Sequence, residues 1–401
     1  MLLEGVKVVE MSTWVAGPGA AGVMADWGAD VIKVEAPVGD AVRAFAPDTA
    51  QSPGNPIFVN ENRGKRGIVI DLKQPGSRDV LLTLLEQADV FITNVRPGSL
   101  AALGLDYASI KERLPRLIYA AVTGYGLTGP DADLPAFDIT AFWTATGVGR
   151  ATIPEGVDPF TVRPGFGDHV TAIGTVAGIL AAMHERTQTG AGRLVEASLI
   201  RAGTYAIGWD MSLQLRYGTV TTNRPRAERE NATSGYFRTA DDRWVIALAR
   251  GKGDYAAILD AVGVPELAEN PRYAPPVKDP EALEELRGLV DAAFARLTLA
   301  EVRAGLRRND VIHAALQTLG ESAESELANE AGCFVEVDDG WGGTFRTIAA
   351  PIRFPDGAPL VGRAAPKLGE HTSEILADAG YGAEQIAQLL DSGAVRGLPA
   401  Q

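Results

Sequence analysis

Short β-branched runs alternate with helical stripes over residues 1–200. VKVVE (6–10), DVIKVE (30–35), RGIVIDL (66–72), DVFITNV (89–95) and LIYAAV (117–122) are strand-length apolar runs, which predicts strands buried on both faces of a parallel sheet. Between them, SRDVLLTLLEQA (77–88) sets Val80, Leu81, Leu84 and Leu85 along one stripe of a helix. A second helix follows Asp168. There Val170, Ile173, Ala177, Leu180 and His184 recur at spacings of three and four, Gly174 and Gly178 would admit a close neighbour, and TGAG (189–192) supplies a glycine stop.

The texture changes from about residue 225. SGYFRTADDRWVIALAR (234–250) reads as a β-hairpin turning at Asp241-Asp242, followed by the proline-rich NPRYAPPVKDP (270–280) and charged amphipathic helices to about residue 320. Strand-like text returns in CFVEVDDGWGGTFRTIAAPIRF (333–354), and two helical segments close the chain. The expectation is an α/β protein with a second, smaller domain.

Composition narrows the partners. With 401 residues, 46% hydrophobic and 22% charged, the chain has the material of an ordinary globular protein. A net charge of -14 argues against nucleic-acid binding, so any anionic ligand must meet a local basic patch. The single Cys333 cannot form an internal disulfide, which fits a reducing cytoplasm. MLLEGVKVVE lacks the pattern of a secretory signal, and no apolar run is expected to span a membrane.

Gly17, Gly19 and Gly22 spell GxGxxG before a helix, with Glu35 ending the next strand. MSTWVA separates the strand from the first glycine and Pro18 stands inside the motif, so nicotinamide or flavin binding is not expected, although such a loop can still wrap an adenine nucleotide. His169, His184, His313 and His371 are scattered, and the zinc-protease pattern starting at His184 fails at Gln188, so no metal is expected. No GxSxG elbow is present, and Cys333 lacks the signature of a thiol nucleophile. PGFGDHVTA (164–172) leaves two readings of Asp168: a helix cap, or a carboxylate nucleophile that the helix N-terminus helps to ionise. Gly165 and Gly167 clear bulk from its surroundings; Asp138 in LPAFDITAF is a cap or a substrate-positioning acid.

Several blocks stand in one order: VAGPGAAGVMADWGADVIKVEAP (15–37), NENRGKRGIVIDLK (60–73), DVFITNVRPGSLAALGLDY (89–107), LIYAAVTGYGLTGP (117–130), residues 167–199 and APKLGEHTSEIL (365–376). Together they resemble the family III CoA-transferases, the group of formyl-CoA transferase, carnitine CoA-transferase and α-methylacyl-CoA racemase. The resemblance implies Asp168 as the nucleophile and transfer of CoA from an acyl-CoA to a free acid through an aspartyl anhydride and an aspartyl-CoA thioester. It implies CoA contacts at Trp14, Val15, Ala16, Ile70, Lys73, Asn94 and Val95, with Lys73 toward the phosphates; Arg96 and Arg43 are further cations for that anion. Phe137, Asp138 and His169 fall where substrate is positioned. It also implies a large Rossmann-like domain of residues 1–200 completed by about 335–401, linkers at 201–225 and 326–345, a small α+β domain at 226–325, and an interlocked homodimer. Ala36 replaces a formyl-CoA transferase arginine, TTNRPRAERENATSG (221–235) replaces its glycine-rich loop, and Phe137 replaces the racemase histidine. A racemase-type enzyme and a non-catalytic acyl-CoA binder are the alternatives.

Overall fold

The apolar runs fold as β1 (Lys7–Met11), β2 (Asp30–Glu35), β3 (Arg66–Ile70), β4 (Val90–Thr93) and β5 (Ile118–Thr123), joined by β6 (Leu194–Ser198). The computed structural model describes residues 1–45, 55–220, 223–340, 342–355 and 364–398. Within it, the six strands lie parallel in the order β3-β2-β1-β4-β5-β6, and Val395–Arg396 pairs antiparallel on the outer edge of β3. The order reverses between β1 and β4. In open parallel sheets the loops leaving the strands' carboxyl ends part at such a point and leave a crevice.

Side-chain alternation splits each run between two cores. Phe91 joins Val9, Ile68 and Tyr119 on one face, under helix α3, whereas Val90 and Ile92 join Val8 and Ala120 on the other. The helices that matter for the site are α1 (Ala16–Asp26), α2 (Pro56–Asn62), α3 (Ser77–Glu86) and α4 (Phe166–Thr189). The GxGxxG glycines belong to helix packing, not to a nucleotide loop. All three lie buried inside α1. A Cβ on Gly19 would fall 2.8 Å from the Glu61 carboxylate, and one on Gly22 would fall 2.7 Å from the Glu61 carbonyl oxygen.

The buried face of α4 is not the expected stripe. Thr171, Ala172, Thr175, Val176, Ile179 and Ala182 are buried, while Ile173, Ala177 and His184 are exposed. Threonines can enter this core because their hydroxyls bond back into the helix, Thr171 to the Gly167 carbonyl and Thr175 to the Thr171 carbonyl, both at 2.8 Å. Against the sequence expectation, α4 is also long and apolar enough to cross a membrane by length and composition alone, yet Ala172, Val176, Ile179 and Ala182 belong to the core shared with α1.

These elements belong to a unit of Met1–Arg150, Pro159–Val220 and Glu330–Gln401; the other unit is Ala151–Asp158 with Thr221–Asn329. The second unit holds the antiparallel hairpin Gly235–Arg238 and Trp244–Leu248, with Asp242 at the turn in a left-handed conformation (φ 60°). A third strand, Ile312–Ala315, pairs with Trp244–Leu248 where the sequence pattern indicated helix. Helices Lys252–Ala261, Pro280–Phe294 and Leu299–Arg308 pack around Phe237, whose ring stacks on Phe294 at 4.0 Å.

The first unit buries a charge junction at the ends of its central strands. Glu10 of β1, Lys33 of β2 and Lys65, just before β3, are fully inaccessible. Lys33 Nζ donates to Glu10 at 3.1 Å, to Asp40 at 3.1 Å and to the Ser12 carbonyl at 3.1 Å; Lys65 Nζ donates to Glu10 at 2.8 Å, to the Pro18 carbonyl and to Asn62. Burial acts to raise the Glu10 pKa, but Lys33 and Lys65 outweigh it and hold the carboxyl down at about 2. Glu10→Gln removes the one charge both lysines share, leaving Lys33 with Asp40 alone and the buried Lys65 without its ion-pair partner, which costs about 3–5 kcal/mol. Thermal and denaturant unfolding should show that loss; stability within about 0.5 kcal/mol of the parent protein would contradict the role given to Glu10.

Candidate active site

An open cavity of about 1190 Å³ lies over the carboxyl ends of β1, β4 and β5, at the point where the strand order reverses. Trp14, Val15 and Ala16 line it from the β1 loop, Asn94, Val95 and Arg96 from the β4 loop, and Phe137, Asp138, Asp168 and His169 close it. Ile70 and Lys73 do not line it. Ile70 is buried in β3, and Lys73 is exposed in the following turn. Nor does Arg43, whose guanidinium is bound to Glu35 at 2.7 and 2.9 Å and lies 3.8 Å from the Phe58 ring centre. Glu61 lines the cavity too and was not singled out by sequence reasoning. Its signal was indirect: the two glycines of α1 that leave room for it.

The β1 loop is held in an unusual conformation. Trp14 has a positive φ of 69°, costly for a bulky residue, and its amide donates to Asp40 at 3.1 Å. Asn94 clamps Thr13 from both sides, accepting from its amide at 3.0 Å and donating to its carbonyl at 2.6 Å. Asn94 therefore shapes the crevice by using its amide on the neighbouring loop. The Trp14 ring then meets Phe137 edge-on at 5.0 Å and Phe45 at 5.6 Å.

Asp168 is not the cap of its helix. The N-cap of α4 is Gly165, at φ 93°, and the capping carboxylate comes from Asp138, which accepts from the amides of Gly165 at 2.8 Å and Gly167 at 3.1 Å. Asp138 itself is almost fully buried. With the orphan amides satisfied from elsewhere, the Asp168 carboxylate makes no side-chain hydrogen bond among the described residues. Helix-end stabilisation of the anion does not dominate. Burial, then the Asp138 charge, push the Asp168 pKa up to about 7, with His169 opposing and Glu61 adding to the rise.

His169 stands beside it, its Nε2 2.9 Å from Glu61, and Glu61 also accepts from Asn60 at 2.7 Å. That bond to a carboxylate only 3% exposed raises the His169 pKa and favours the imidazolium, although burial opposes it. The arrangement gives one ionisable carboxylate without hydrogen bonds, one carboxylate committed to backbone, and one carboxylate–imidazolium pair.

Two outcomes follow from the raised Asp168 pKa. An unfolded Asp titrates near 3.9, so the folded state holds its proton more tightly and this stabilisation disappears as pH rises from about 4 to about 7. Asp168→Asn, which does not titrate, should therefore gain stability over the parent protein as pH rises through that window, by up to a few kcal/mol. Unfolding at a series of pH values reads this; a stability difference flat from acid to pH 8 would contradict the raised pKa.

The chain matches the model of "CoA-transferase family III" over residues 3–372. It is 35% identical to (R)-2-hydroxy-4-methylpentanoate CoA-transferase of Clostridioides difficile, covering 99% of this chain and 100% of that protein. It is 31% identical to cinnamoyl-CoA:phenyllactate CoA-transferase of Clostridium sporogenes, covering 97% and 96%. Among solved structures it superposes on a CAIB/BAIF family protein from Brucella suis with a TM-score of 0.83 and 28% identity, over 94% of this chain and 99% of the other. Matching along nearly the whole chain, in sequence and in fold, this protein belongs to the family III CoA-transferases.

Proposed function

We propose that this CoA-transferase moves CoA from an acyl-CoA thioester to a free carboxylic acid through covalent intermediates on Asp168. The observation that carries the reading is the freedom of Asp168: Asp138 does the capping, and the Asp168 carboxylate lines the cavity with no side-chain hydrogen bond among the described residues. A carboxylate whose pKa is raised toward 7 is more basic than an ordinary Asp once ionised, which favours attack on a carbonyl.

The steps balance without any added reactant. An Asp168 oxygen attacks the thioester carbonyl, the C–S bond breaks, and CoA thiolate leaves an acyl-aspartyl anhydride. Thiolate attacks the aspartyl carbonyl and releases the donor acid, leaving aspartyl-CoA thioester. The acceptor carboxylate then displaces thiolate to form a second anhydride, and thiolate attacks its acyl carbonyl to give the new acyl-CoA and free Asp168. Each intermediate is prone to hydrolysis, so partial burial of Asp168 and the apolar walls around it serve to exclude water. The His169 imidazolium offsets negative charge that builds beside Asp168.

CoA itself fits the β1 and β4 loops, with Trp14, Val15, Ala16 and Val95 as walls and Arg96, free of side-chain partners among the described residues, toward the phosphates. Ile70 and Lys73 are assigned to the outer, adenosine end, beyond the cavity. The working form is an interlocked homodimer in a reducing cytoplasm. Support for a covering partner comes from helix Gly208–Tyr217, which buries none of its residues and exposes Trp209 and Leu215.

Asp168→Asn should reduce transfer by at least roughly a thousand-fold while retaining the fold. Hydroxylamine trapping during incubation with acyl-CoA should modify Asp168 and no other residue. An Asn variant with full activity would remove Asp168 from the mechanism, and an unmodified chain that still bound CoA would point to a binder. Phe137 has no proton to exchange, so a 2-methylacyl-CoA in deuterated water should keep its α-hydrogen; rapid Asp168-dependent deuteration without transfer would favour a racemase.

A further inference from the structure

The cavity carries a charge balance and an apolar wall that the reaction does not itself require. Its ionisable lining among the described residues is Glu61, Asp138 and Asp168 against Arg96 and His169. His169 is paired with Glu61. Arg96 sits at the carboxyl end of β4, where the phosphates are assigned. Asp138 accepts from two amides, and its carboxylate is one reason the Asp168 pKa rises. Once CoA engages Arg96, no unpaired cation remains among the described lining residues to receive a second carboxylate.

The wall has the opposite character. Phe137, Phe45 and Leu134 line the cavity with more than half of their surface open, at 53%, 59% and 51% exposure, and Ile57 and Ile348 add to the same lining. Large apolar groups collected in a cavity gain by burying an apolar partner. The wall is also fixed relative to the nucleophile: Phe137 directly precedes Asp138, whose carboxylate holds the first turn of α4 and thus Asp168. Its ring is braced by Trp14, which the Asp40 bond holds in place.

We propose that the acids exchanged at this site are monocarboxylates with a bulky apolar or aryl side chain, held by Phe137, Phe45 and Trp14, and that dicarboxylates are disfavoured for want of a counter-cation among the described lining residues. The inference rests on the Asp168 reading above. A dicarboxylate that presents one carboxylate to Asp168 must bring the other into the field of Asp138 unpaired, and that loss is larger in a partly desolvated site than in water.

The test offers phenylacetyl-CoA as donor to the purified protein with isovalerate, malonate and succinate together at equal concentration, and new thioesters are read by mass. Isovaleryl-CoA should form at least roughly tenfold faster than malonyl-CoA or succinyl-CoA. Phe137→Ala should raise KM for isovalerate more than it lowers kcat, and Phe137→Lys should narrow the gap by favouring succinate. Succinate or malonate taken as fast as isovalerate would overturn the proposal. Hydroxylamine trapping on Asp168 with phenylacetyl-CoA and separately with succinyl-CoA separates the two levels. Trapping with phenylacetyl-CoA, strongly preferred over succinyl-CoA, supports the specificity. Trapping with succinyl-CoA alone defeats the specificity but keeps the mechanism, and trapping with neither defeats the mechanism.

Discussion

Two buried lysines that share one glutamate set the geometry from which the site is built. Glu10, Lys33 and Lys65 lie where β1, β2 and the start of β3 come together, and each charge is inaccessible to water. Unpaired, any of them would be untenable there. Paired, they fix more than the sheet: Lys33 holds the Ser12 carbonyl and Asp40, Asp40 holds the amide of Trp14, and Lys65 holds Pro18 and Asn62. The β1 loop and the end of α2 are thereby placed together. Next to Asn62 comes Glu61, which reaches across to His169.

The proposed chemistry depends on a division of labour among acids. Asp138 and Asp168 approach the same helix end, and either could satisfy its amides. The structure gives that task to Asp138, about thirty residues earlier in the chain and deeply buried, and leaves Asp168 half-buried, with no side-chain hydrogen bond among the described residues. A carboxylate held by backbone amides is stabilised as an anion and made a poorer nucleophile. Relieved of them, Asp168 keeps the basicity that the proposed attack on a thioester requires. Glu61 has a third place in the proposed mechanism, favouring a positive charge on His169 beside Asp168.

The strands of the sheet's centre were legible because strands buried on both faces read as unbroken apolar runs. β6 was not, since it interleaves Glu196 among Leu194, Val195 and Ala197 at the far edge of the six-stranded parallel sheet. The buried face of α4 was misread because threonine counts as polar until its hydroxyl finds a carbonyl in its own helix. Periodicity could not foresee that. At the site, the position of Asp168 behind two glycines raises the question of cap or nucleophile, and what removes the cap reading is a contact of Asp138 that no local pattern encodes. The same holds for Glu61, which sits in a stretch whose charges look solvated, and for Arg43, whose charge is already bound to Glu35.

The central claim is that an oxygen atom of the acceptor acid passes through the Asp168 side chain. The anhydride route hands one carboxylate oxygen of the acceptor to Asp168 each time a new acyl-CoA is released. Turnover with an acceptor acid labelled in both oxygens by the heavy isotope, followed by peptide mass analysis, follows that atom directly. The account predicts heavy oxygen in the peptide containing Asp168 and in no other, appearing only when donor acyl-CoA is present. Productive transfer to a labelled acid with Asp168 left unlabelled would contradict it.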